Sequence, residues 1–143
     1  MPTRTASARW DGSLQGGSGS MRLGSGAYEG AFSFKTRFEE EPGTNPEELV
    51  GAAHAGCFSM FLSGVLSKVE HPPTSIDTDA TVHLEKEDAG WRITRIELRT
   101  RGVVPGIDEA AFREHAQTAK ENCPVSKALA GVDVSVDATL AAS

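Results

Sequence analysis

The run Leu49-Val-Gly-Ala-Ala-His-Ala-Gly-Cys-Phe-Ser-Met-Phe-Leu62 decides how this chain folds. It is apolar and uninterrupted, too long for a surface loop, and it continues without a formal charge to Ser67, 19 residues in all. That length is enough to cross a bilayer. Three glycines, three serines and His54 leave it only moderately hydrophobic, however, and a lone span in an otherwise soluble acidic chain is the weaker reading. The segment reads instead as a central, buried helix. Asn45 can cap it, Pro46 suits the first helical position, and Glu48 completes a capping-box pattern with Asn45. His71-Pro72-Pro73 stops it after about Val69. A helix apolar on most faces needs cover on most faces, and a chain of 143 residues can hardly supply that alone. A second subunit is therefore expected.

Before this helix, Thr3 to Trp10 reads as a strand and Asp11 to Ser20 as a loop. Met21 to Leu23 reads as a short strand, Gly24-Ser-Gly26 as a turn, and Tyr28 to Lys35 as a third strand. After the helix, Ile76 to Lys86 and Trp91 to Arg101 alternate at period two around the hairpin turn Glu87-Asp-Ala-Gly90. Asp108 caps a helix to about Glu121, Pro124 opens a second short one, and Val132 to Leu140 alternates as a last strand. The order predicts an α+β domain with antiparallel sheets.

The length suits a single domain, 1–143. A net charge of −6 with no compensating basic run argues against a nucleic-acid partner. The N-terminal ten residues lack the apolar core of a signal peptide, so the expected compartment is the cytoplasm. In that reducing setting, Cys57 and Cys123 are better suited to redox or nucleophilic chemistry than to a permanent disulfide. Cys123 precedes a proline that can open a helix, where unsatisfied N–H groups acidify a thiol. Cys57, on the apolar helix, becomes reactive only if a cation is brought to it. An unperturbed thiol is only about 3% thiolate at pH 7, and lowering its pKa by ~2 units corresponds to ~2.7 kcal/mol.

Three segments in order, Asn45-Pro-Glu-Glu-Leu49, Ala53-His-Ala-Gly-Cys-Phe-Ser-Met60 and Asn122-Cys-Pro-Val-Ser-Lys127, resemble the OsmC/Ohr family of thiol peroxidases. Their wording is similar to the OsmC branch. The resemblance covers nearly the whole chain. It implies two three-stranded halves wrapping the long helix in an intertwined homodimer, and a peroxidase that uses no metal, haem or flavin. It also implies Cys57 as the peroxide-attacking thiol and Cys123 as the resolving thiol, with Arg37 as the activating cation and Glu47 as its carboxylate partner. Attack on the O–O bond would leave a sulfenic acid on Cys57. Condensation with Cys123 would give a disulfide, to be reset by an external dithiol. The substrate implied is an organic hydroperoxide, and the role is protection against oxidative or osmotic stress.

Each residue also has a plainer explanation. Either thiol could simply pack, Arg37 could be a solvated ion-pair residue, and Glu47 and Glu48 could both serve the helix macrodipole. His54 precedes Cys57 by three residues on one helix face and could act as a base. Packing or hydrogen bonding suits it better, because an arginine-acidified thiolate needs no base. His71, His83 and His115 have no metal-ligand spacing. A cysteine hydrolase using Cys57 with His54, and a non-catalytic stress or ligand-binding protein, are the alternative functions. Glu47 and Cys57 are ten residues apart, about 15 Å along a continuous helix, which a glutamate side chain cannot span. Either the helix breaks near Gly51, or Glu47 and with it Arg37 serve the partner's thiol. The apolar helix favours the second.

Overall fold

The computed structural model describes residues 1–142. The chain forms two compact units, one of Met1–Leu49 and the other from Val50 onward.

In the N-terminal unit, β1 (Ala6–Asp11), β2 (Ser18–Leu23) and β3 (Glu29–Phe32) form an antiparallel sheet in chain order. A short helix, α1 (Phe34–Phe38), follows where the alternating pattern predicts continued strand to Lys35. Ser33 is the cause. Its Oγ accepts the Thr36 N–H at 3.3 Å while its own N–H donates to Thr36 Oγ1 at 2.9 Å. This is a capping box with threonine in the place of the usual glutamate or glutamine. The third strand therefore ends early and Arg37 sits on a helix.

The long helix, α2 (Pro46–Lys68), begins as expected. Asn45 Oδ1 accepts the Glu48 N–H at 2.8 Å, and the Asn45 amide donates to the Thr36 carbonyl at 3.1 Å. The helix runs unbroken through Gly51.

In the second unit, β4 (Ser75–Glu87) and β5 (Gly90–Val103) form the expected hairpin. Gly90 closes it at φ 124°, a conformation that side-chain-bearing residues avoid. The helices α3 (Glu109–Asn122) and α4 (Pro124–Ala128) then carry the chain to β6 (Asp133–Leu140). This strand pairs with β5 in parallel, so the second sheet, in order β4-β5-β6, is mixed rather than wholly antiparallel. The reason is the α3–α4 connection, because a helical crossover returns the chain to the same end of the sheet.

Phe58, Leu62 and Leu66 of α2 are fully buried with Ile96 and Leu98 of β5 and Phe112, Ala116 and Ala119 of α3. With His54, the α2 residues recur every four positions and form one buried stripe. The polar edge of that packing is satisfied. Ser59 Oγ donates to Thr78 Oγ1 at 2.7 Å, and Thr78 and Thr100 hydroxyls are 3.0 Å apart. The other face of α2 is also apolar. Ala53, Gly56, Met60 and Gly64 lie exposed there, Met60 by 81%.

Candidate active site

The chain's own geometry assembles two groups of candidate residues. In the N-terminal unit, Arg37 Nε donates to Glu47 Oε1 at 2.9 Å. Local chemistry sets up this pair. Ser33 starts α1, Thr36 Oγ1 donates to the Thr44 carbonyl at 2.8 Å, and Asn45 bridges from Thr36 to the start of α2. Arg37 on the last turn of α1 thereby meets Glu47 in the first turn of α2. The Glu47 side chain is 10% exposed and that of Arg37 37%. Among the described residues, Glu47 Oε2 has no partner. The Arg37 guanidinium also lies 5.2 Å from the Phe38 ring centroid, a cation–π contact. Beside it, Trp10, Leu14, Phe32, Phe34 and Phe38 line a hollow of about 290 Å3.

In the second unit the structure brings Cys57 and Cys123 together. Both are free thiols, Cys57 half-buried and Cys123 fully buried. The Cys57 thiol lies near Cys123 and the Val125 backbone, and both act on its ionisation. Its pKa is raised above the ordinary thiol value, chiefly by burial and further by the neighbouring Cys123, against the lowering effect of the Val125 backbone bond. Cys57 also lines an apolar cavity of about 360 Å3 with Met60, Phe61, Val65 and Pro124.

Cys123 is the joint between two helices. Its N–H donates to the Ala119 carbonyl at 3.0 Å and closes α3, while its Sγ accepts the Ser126 N–H at 3.4 Å and caps α4. Pro124 occupies the first position of α4, as expected. The start of α4 thus serves both sulfurs, through Val125 to Cys57 and through Ser126 to Cys123.

Two residues acquire contacts that spacing alone does not reveal. The Cys123 thiol donates to Ser126 Oγ at 3.0 Å, and Ser126 Oγ lies 2.7 Å from His54 Nε2. His54 is fully buried, its pKa is lowered by desolvation, and Nδ1 has no partner among the described residues. His54 is therefore a hydrogen-bonding residue, as expected, with its engaged nitrogen on Ser126. The hydrolase alternative requires a carboxylate on the other ring nitrogen, and none is there among the described residues. Ser126 was legible only as part of a motif; its position three residues after a capping cysteine is the signal that places its hydroxyl on the sulfur. No group of three or more metal-ligating side chains occurs among the described residues.

The profile of the family described as OsmC-like protein matches residues 38–137, a range that holds Glu47, Cys57 and Cys123. Over 123 residues the chain is 51% identical to the peroxiredoxin OsmC of Escherichia coli (strain K12), covering 85% of this chain and 86% of that one. It is 34% identical over 100 residues to the organic hydroperoxide resistance protein of Xanthomonas axonopodis pv. citri, covering 69% and 68% of the two. The fold matches the crystal structure of the organic hydroperoxide resistance protein OhrB of Bacillus subtilis with a TM-score of 0.74 at 25% identity, covering 94% of this chain and 98% of that one. With two thiols in contact where the motifs place them and a family match over more than half its length, the chain belongs to the OsmC-like family, on its OsmC side.

Proposed function

We propose that this thiol peroxidase reduces organic hydroperoxides to alcohols through Cys57 and Cys123, working in the cytoplasm as a homodimer with shared active sites. The observation that carries the two-thiol cycle is the proximity of Cys57 on α2 to Cys123 at the start of α4, close enough for Cys123 to act on the ionisation of Cys57. The Cys57 thiolate attacks one peroxide oxygen, the O–O bond breaks, and the alkoxide leaves as alcohol once protonated. Cys57 becomes a sulfenic acid. The Cys123 sulfur then displaces hydroxide from it to give the disulfide, and an external dithiol returns both thiols.

Burial raises the pKa of Cys57, so an active thiolate needs a cation. Arg37, held by Glu47, supplies it in this reading, its planar fork accommodating thiolate, carboxylate and peroxide oxygens together. Because α2 is continuous from Pro46 to Lys68, Glu47 and Cys57 are about 15 Å apart along its axis. With no helix break at Gly51, this reading takes the Arg37–Glu47 pair to serve the partner's Cys57. The bare apolar face of α2 at Ala53, Gly56, Met60 and Gly64 supports a subunit contact there. The aromatic hollow beside Arg37 and the apolar cavity at Cys57 favour an alkyl or acyl hydroperoxide over hydrogen peroxide.

Intact-mass measurement after one equivalent of tert-butyl hydroperoxide tests the cycle. A loss of about 2 Da marks the internal disulfide, and an unchanged mass removes the peroxidase reading.

A further inference from the structure

Resolution requires a proton to leave Cys123, whose sulfur is fully shielded from solvent. The sulfur has a polar route outward. Its S–H donates to Ser126 Oγ at 3.0 Å, and Ser126 Oγ is 2.7 Å from His54 Nε2, a ring nitrogen 72 residues away in sequence. We propose that Ser126 and His54 form a proton path out of Cys123, with the Ser126 hydroxyl touching the reacting sulfur and His54 as the positioning residue and acceptor behind it. This rests on the two-thiol cycle and specifies how its second step is driven.

Two features separate this path from ordinary packing. A buried histidine kept only for shape would be cheaper as an apolar residue, because Nδ1 is buried without a partner among the described residues. Nε2 of His54 meets the hydroxyl that holds the thiol. Burial also disfavours the charged imidazole, and in the tautomer with its hydrogen on Nδ1 the Nε2 lone pair faces Ser126 Oγ.

The step balances without another reagent. Cys123 gives its proton to Ser126 Oγ as Ser126 gives its own to His54 Nε2. The Cys123 sulfur attacks the Cys57 sulfenyl sulfur, the S–S bond forms and the S–O bond breaks. The Cys123 sulfur is oxidised as the sulfenyl sulfur is reduced. The departing hydroxide leaves as water by taking up the proton that the imidazolium hands back, so the imidazole is uncharged again once the disulfide has formed.

The test follows the two steps separately in the full-length protein. After one equivalent of tert-butyl hydroperoxide, dimedone trapping reports the Cys57 sulfenic acid, and the loss of about 2 Da reports the disulfide. Ser126→Ala keeps the backbone N–H bond to Cys123 and removes only the hydroxyl. In Ser126→Ala and His54→Gln, disulfide formation should slow by about 10²-fold, the lower end of proton-transfer contributions, relative to sulfenic acid formation in the same sample. Ser126→Thr, which retains the hydroxyl, should restore it. Far-UV circular dichroism verifies the fold of each variant. A wild-type resolution rate in Ser126→Ala overturns the path, and a wild-type rate in His54→Gln overturns the imidazole as acceptor. If the wild-type protein itself shows no loss of about 2 Da, the two-thiol cycle fails and the path with it.

Discussion

Arg37 and Glu47 form a hydrogen-bonded ion pair, 2.9 Å from Nε to Oε1, in which one carboxylate oxygen is committed and the other is buried without a partner among the described residues. The carboxylate fixes the guanidinium through Nε. A surface ion pair would contribute little to stability. Half-burying this one suits a pair that orients a cation for use elsewhere.

Replacing Arg37 with Met should raise the Cys57 pKa beyond the elevation that burial already imposes. Below its midpoint the thiolate fraction falls tenfold per pH unit, so the peroxide reaction at neutral pH should slow by roughly 10²-fold for a ~2-unit shift. Alkylation rate against pH measures the midpoint. If it does not move, Arg37 is an ion-pair residue only.

Cys57→Ser should consume no peroxide. Cys123→Ser should undergo one oxidation event and then stall, because its sulfenic acid has no internal thiol to meet. Peroxide consumed per subunit, with and without a dithiol reductant, distinguishes them. Normal cycling by Cys123→Ser would remove the two-thiol mechanism.

If each site takes Arg37 from one chain and Cys57 from the other, mixing Arg37→Met chains with Cys57→Ser chains should recover activity. Each such heterodimer contains one site with both residues intact, so about half the wild-type rate per dimer is expected. Heterodimers verified by native mass spectrometry yet inactive would return Arg37 and Glu47 to their own chain's thiol.

His54 gives the stability a dependence on acid. Its folded-state pKa is lowered by burial, so the unfolded chain binds the proton more readily. Its contribution is complete above the unfolded value of about 6.5 and is lost as pH falls from there through the folded value. Urea midpoints across pH 7.5 to 5 should therefore decline in the wild type and decline less in His54→Gln. Parallel curves would show that His54 is not the group responsible.

The sequence by itself determined the elements whose signals are local. Asn45 and Pro46 opened α2, Asp108 opened α3, Pro124 opened α4, and the alternation from Trp91 to Arg101 fixed β5. The thiols and the family could also be read from it, because their motifs are contiguous. Tertiary structure decided the rest. The helix at Arg37 depended on a threonine filling a role usually taken by glutamate or glutamine. The parallel pairing of β6 depended on where the α3–α4 crossover delivers the chain, which alternation along a strand does not encode. In the link from Cys123 through Ser126 to His54, the Ser126–His54 contact joins atoms 72 residues apart. No spacing rule reaches that far: side-chain periodicity relates neighbours on one element, whereas this contact exists only because α2 and the start of α4 pack together.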